Sequence, residues 1–168
     1  GPAYNTDTNT IRFSFGKTDT VSQTVGINQA LASIGNGIQV IGFNYNFKLM
    51  SATSDTLTAT YTTTNASGAI IQNNTFNFSG INTNGAFVNS NTIITNNTVN
   101  YTTPYVPSSL GNITASFSGH DGPWWAGLYG PRVREPSITL NYQVDPCATN
   151  PAYSSTCAGF NKVINTTN

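Results

Sequence analysis

Charge is the scarcest commodity in this sequence: six basic and six acidic side chains among 168 residues, one histidine, two cysteines and no net charge. No basic stripe is available to release counterions from a phosphate backbone, and there is no polybasic or acidic tail. Nucleic acid and anionic membranes are therefore not expected partners. No apolar run approaches the roughly 18 residues that span a bilayer, and the N-terminus lacks the basic-then-apolar pattern of a signal peptide, so membrane insertion is not expected. Acid-base chemistry is equally short of parts. One histidine, one glutamate and five aspartates leave little from which to build a triad or a carboxylate pair. Asp121 and Glu135 are the pair that could face each other, but each sits beside turn-forming residues. An enzyme is not expected. There is no glycine-rich phosphate loop, no His-x-x-x-His helix and no EF-hand loop. A structural calcium ion held by backbone carbonyls and one carboxylate, such as Asp121 or Asp55, would leave no sequence signature; no other cofactor is expected.

Amides and hydroxyls supply the polarity that charge does not: the chain has 23 Asn, 26 Thr and 15 Ser. Such a surface has little to screen or titrate, which suits an extracellular or virion setting where salt and pH vary. Seven Asn-x-Ser/Thr triplets occur, beginning at Asn65, Asn73, Asn77, Asn96, Asn100, Asn112 and Asn165. In this composition about 5 or 6 arise by chance, so they carry little weight as glycosylation signals.

Alternation dominates the local pattern. Phe43, Tyr45, Phe47 and Leu49 fall on one side while Asn44, Asn46 and Lys48 fall on the other. Leu57, Ala59 and Tyr61 repeat the pattern, as do Ile113, Ala115 and Phe117, and then Ile138, Leu140 and Tyr142. These are half-buried strands. Turns are expected at Gly35-Asn36-Gly37, Asn65 to Gly68, Asn84-Gly85 and Pro104 to Gly111. Only Ile27 to Ile34 suits a short helix, and the Asn/Thr-rich stretch from Ile81 to Thr103 is expected as strand and long loop. Strands and turns without a crossover helix predict an all-β antiparallel sandwich.

At this length one domain is expected. Gly1-Pro2 reads as the remnant of a cleaved tag on a fragment of a larger protein, 3–144 as the sandwich, and 145–168 as a cysteine-containing tail or linker. Cys147 and Cys157 enclose a short loop; a disulfide between them would contribute about 2 to 3 kcal/mol on the chain-entropy model. Two cysteines without further ligands cannot complete a tetrahedral metal site.

One stretch gathers the rare residues. GHDGPWWAGLYGPRVREPSITLNY, from Gly119 to Tyr142, holds Asp121, Arg132, Arg134, Glu135, both tryptophans and the histidine. Gly122-Pro123 turns the chain, and in an extended segment Trp124 and Trp125 face opposite sides. A tryptophan offered to solvent is a platform for the apolar face of a sugar, whose hydroxyls bond to nearby polar groups. The alternative is that both rings seal the open end of the sandwich.

Gly119, Asp121, Trp124, Trp125, Gly127, Tyr129, Gly130, Arg132 and Val133, followed by Ser137, resemble the F-box-associated domain of sugar-recognising F-box proteins. That resemblance implies a galactose-binding-like jelly roll, and glycan-binding members hold the chitobiose core of N-glycans with the aromatic pair and the next lysine. Here Trp124 replaces the tyrosine and Ala126 the lysine, and the match spans 24 residues, Gly119 to Tyr142. It implies that Asp121, Tyr129 and Arg132 shape the loop, with Asp121 and Arg132 as a semi-buried pair or as loop anchors. The run from Asp145 to Phe160, D-P-C-x-x-N-P-x-Y-S-x-x-C-x-G-F, is similar to cysteine-containing units of large virion structural proteins of aquatic tailed phages. Two functions follow as expectations. One is a non-catalytic carbohydrate-binding module of a phage virion or bacterial surface fibre, using Trp124 and Trp125 with His120, Arg134 and Glu135 as polar edges, for a glycan or cell-surface polysaccharide. The other is a structural module that contacts only other virion or fibre proteins.

Overall fold

The structure, a computed structural model, describes residues 3–5, 10–13, 19–31, 34, 37–122, 130–144 and 164–166, with side chains at all of these but 3–5, 19 and 164–166. Cys147 and Cys157, and with them the expected disulfide, lie outside the described residues. The strands are β1 (Ala3–Asn5), β2 (Thr10–Arg12), β3 (Asp19–Gly26), β4 (Ile38–Met50), β5 (Asp55–Asn65), β6 (Ile70–Asn77), β7 (Val88–Asn89), β8 (Thr98–Tyr105), β9 (Leu110–Asp121), β10 (Arg132–Val144) and β11 (Ile164–Thr166).

They form two antiparallel sheets. The seven-stranded sheet runs β1-β2-β10-β4-β7, with β8 also on β4 and β11 also on β10; the four-stranded sheet runs β3-β9-β5-β6. Taking the main strands, β2-β10-β4-β8 is packed on β3-β9-β5-β6, and each step along the chain changes sheet except the β5–β6 hairpin. That interleaving is a jelly roll. The expected all-β jelly-roll sandwich is the fold observed.

The alternation found in the sequence fills the space between the sheets. Phe43, Tyr45, Phe47 and Leu49 of β4 and Leu57, Ala59 and Tyr61 of β5 are each exposed by 1% or less. Ile113, Ala115 and Phe117 of β9 join them, with Val133 and Leu140 of β10, while Ile138 and Tyr142 pack half-buried at the margin. The outward positions pair across strands through hydroxyls: Thr20 with Ser118, Ser22 with Ser116, Thr24 with Thr114, and Thr60 with Thr75. Such pairs stabilise a sheet face without any charge.

Three local expectations change. The helix expected over Ile27 to Ile34 is a single turn, α1 (Ile27–Ala30). A second turn, α2 (Ser90–Ile93), forms inside the stretch read as strand and loop. It is fixed by a tertiary bond: the Ser90 hydroxyl accepts the Phe47 amide at 3.0 Å and donates to Asn46 Oδ1 at 3.1 Å, filling a gap in the ladder along β4. Pro104, expected in a turn, lies exposed within β8. The ladder to β4 is irregular there, between Asn100 and Tyr105, so a residue without an amide proton is tolerated. At Asn84-Gly85 the expected turn has positive φ at both residues, 54° and 75°.

At Gly42 the backbone of β8 lies close against β4, since a Cβ there would land on the Val99 carbonyl oxygen. Gly42→Ala is expected to displace β8 and lower stability by about 2 kcal/mol or more, as overpacking does. Thermal unfolding checks this; an unchanged Tm would show that β8 gives way freely.

Candidate functional site

A groove of about 600 Å³ opens on the outer face of β10, β4 and β8. It exists because the β8–β4 ladder ends at Thr98 opposite Asn44, and β7 pairs with β4 only at Lys48 and Leu49. Side chains bridge the interval. Asn97 donates its amide to the Tyr45 carbonyl at 2.9 Å, and Asn44 donates to Thr98 Oγ1 at 2.9 Å while accepting from Asn141 at 2.6 Å. Around this bonded floor stand Asn91, Asn100, Ser137 and Thr139, all exposed. The lining contains no ionisable side chain except Tyr45, whose phenol is buried in the core.

A second feature lies at one end of the sandwich. Asp55 and Asp121 are partners in the β5–β9 ladder and both turn inward, 3% and 1% exposed. The Ala52 amide donates to Asp55 Oδ2 at 2.8 Å, but Asp55 Oδ1 and both oxygens of Asp121 have no hydrogen-bond partner. Burial, together with the Asp121 charge, raises the Asp55 carboxyl above its usual range, against the lowering effects of the Ala52 amide and His120. Asp55 borders a cavity of about 200 Å³ whose other walls include Ser51, Asn82, Gly130 and Arg132.

The other candidates are divided between the two outer faces. His120 lies on the four-stranded sheet, half-buried, its Nδ1 and the Thr56 hydroxyl hydrogen-bonded at 2.6 Å. Arg134 and Glu135 lie on the other sheet. Arg134 donates from Nε to Thr10 Oγ1 at 2.6 Å and places its guanidinium 4.0 Å from the centre of the Phe87 ring. Glu135 stands on a bulge in β10 with φ of 48° and pairs with Lys48 at 2.7 Å, which holds its carboxyl below the usual range. Asp121 and Glu135 therefore do not face each other. Asp121 and Arg132, expected as a semi-buried pair or as loop anchors, are not bonded to each other: Arg132 Nη1 reaches the Met50 sulfur at 3.8 Å, and the Asp121 carboxylate accepts nothing. Burial, with Arg12 and Arg134 near it, draws the Arg132 guanidinium below its usual range.

Trp124, Trp125 and Tyr129 lie outside the described residues, as does Ala126. Among the described residues no three of His, Cys, Asp and Glu gather in one place. No described helix is long and apolar enough to cross a membrane.

No family model matches this chain, and no curated protein matches it. The likeness to the F-box-associated domain thus stands on the Gly119 to Tyr142 motif alone. A chain from the structure of infectious bursal disease virus, Gx strain, aligns at 15% identity with a TM-score of 0.42, over 79% of this chain and 28% of that one. The jelly-roll order described above stands on strand register alone.

The groove was half visible in the sequence. Asn44 and Asn46 are the polar half of the β4 alternation, but only the sheet order brings them beside Thr98, Asn100 and Ser137 to Asn141.

Proposed function

We propose that this chain is a non-catalytic carbohydrate-binding or adhesion module of a phage virion or bacterial surface fibre, acting outside the cell on a glycan or surface polysaccharide. The observation that carries this reading is the neutral, amide-walled groove on the outer face of β10, β4 and β8. A primary amide presents a donor and an acceptor side by side, which is the pattern that vicinal hydroxyls require. The groove's volume falls in the range of small-ligand sites, and its lack of ionisable walls favours a neutral ligand over a phosphate or an acidic peptide. Trp124 and Trp125 would add stacking platforms, with His120, Arg134 and Glu135 as polar edges of that second contact.

A glycan array followed by titration tests the reading, with affinities expected roughly between micromolar and millimolar. Thr139→Tyr fills the groove without breaking a side-chain hydrogen bond, and Trp124→Ala removes the loop platform. Loss of binding in the first variant places the sugar in the groove, and loss in the second places it on the loop. A folded protein that binds no glycan would overturn the proposal.

One observation favours a purely structural module instead. The edges of the four-stranded sheet, β3 and β6, carry exposed Val25 and Ile70, the latter 65% exposed, and an open edge can pair with a strand of a neighbouring virion or fibre protein. A monomer at high concentration, measured by light scattering, counts against self-pairing of these edges.

A further inference from the structure

We propose that Asp55 and Asp121 together hold a divalent cation of the oxygen-preferring class, calcium, at the end of the sandwich where β9 leaves and β10 begins. This does not depend on any sugar being bound.

Ladder partners on one face of an antiparallel pair hold their Cβ atoms about 4.5 to 5.5 Å apart. The two carboxyl groups therefore share one small volume, and Asp55 borders the cavity whose other walls include Ser51, Asn82, Gly130 and Arg132. Like charges so placed repel, and burying an ionised carboxylate without a countercharge is strongly unfavourable. Both side chains are more than nine-tenths buried, and three of their four oxygens accept nothing. No basic side chain among the described residues is hydrogen-bonded to either carboxylate. His120 faces outward to Thr56, Arg132 is turned to the Met50 sulfur, and Arg134 is engaged with Thr10 and Phe87.

Two agents can neutralise such a pair. A proton shared between the carboxyl groups would serve one or two oxygens and leave at least one bare. Calcium accepts six to eight oxygens, so all three free oxygens can ligate it, with water and oxygens of the cavity wall completing the shell. Magnesium, with its strict octahedral demand and tightly held water, suits the pair less. Zinc is disfavoured, because no histidine or cysteine side chain stands with the two carboxylates among the described residues.

The test is calorimetric titration of the chelator-treated whole chain with calcium or magnesium, alongside thermal unfolding. Calcium is expected to bind one per chain and, at about 100 times its Kd, to raise Tm by about 5 to 10 °C. Asp121→Asn and Asp55→Asn retain an acceptor oxygen but halve the site's charge. Each is expected to fold, to have a Tm at or above that of the metal-free parent, and to lose the response to calcium. A folded parent that binds neither cation at millimolar concentration would overturn the proposal. So would either variant responding to calcium as the parent does. If both variants raise Tm while the parent ignores calcium, the shared proton is the correct account instead.

Discussion

Phe47→Ala will lower the free energy of unfolding by about 3 to 5 kcal/mol, the range for emptying a large aromatic site in a core that cannot collapse around it. Phe47 is fully buried at the centre of β4, and its ring meets Phe78 at 4.9 Å and Phe117 at 5.0 Å, both edge-on, with Tyr45 stacked at 6.4 Å. Phe117 belongs to the opposite sheet, so the contact is one of those that hold the sandwich closed. Urea unfolding is the measurement, with a lowered midpoint at unchanged slope as the signature. Thr114→Ala, which removes one hydroxyl from an exposed cross-strand pair, is expected to change stability by under about 0.5 kcal/mol. Equal losses from the two substitutions would show that the aromatic cluster is not where stability is concentrated.

Alkali is expected to unfold the protein between about pH 10 and pH 12. Three core tyrosines set this window. Burial pushes the phenols of Tyr45 and Tyr101 up to about 12, and that of Tyr61 further still, with Tyr45 beside it adding to the rise. In the unfolded chain all three ionise near pH 10, so the stability they contribute is complete below that value and is lost as pH climbs toward the folded values. Each contributes a slope of about 1.4 kcal/mol per pH unit across the window, enough together to exhaust an ordinary domain.

The hydroxyls themselves divide these residues. Those of Tyr45 and Tyr61 have no hydrogen-bond partner, whereas that of Tyr101 meets Thr63 Oγ1 at 3.0 Å. Tyr45→Phe and Tyr61→Phe are therefore expected to be neutral or to stabilise by about 1 kcal/mol at pH 7, and to move the alkaline midpoint upward. Tyr101→Phe is expected to cost about 1 kcal/mol at pH 7, because Thr63 loses its partner. Far-UV spectra recorded against pH distinguish these outcomes. A midpoint unmoved by either Phe substitution at 45 or 61 would remove these phenols as the cause.

The fold was legible wherever the two faces of a strand differ in chemistry. The run from Phe43 to Leu49 could hardly be read otherwise, and its buried and exposed halves match the alternation. Ser90 to Ile93 was not legible, because its helical turn is imposed by the contact of Ser90 with Phe47 and Asn46 and not by local preference. The candidate site followed the same division. Residues adjacent in the sequence, such as His120 and Asp121, fall on opposite faces of β9, and Arg134 belongs to the other sheet. Asp55 and Asp121 are far apart in the chain, and only the β5–β9 register makes them neighbours. Nothing in either segment taken alone signals that meeting.

The neutral amide and hydroxyl faces also bear on how this module would meet anything at all. A surface with so little net field does not steer a partner from a distance, so encounters proceed at the unassisted rate, about 10⁵ to 10⁶ M⁻¹s⁻¹ for a protein partner, and hardly vary with salt. Residence, by contrast, is set by how many sites engage together. On the proposed function, a weak, unsteered groove repeated along a fibre or over a virion would gain 10² to 10⁴ in avidity, roughly, from spacing alone. For such a surface the number of copies and the distance between them are as much a part of recognition as the groove itself.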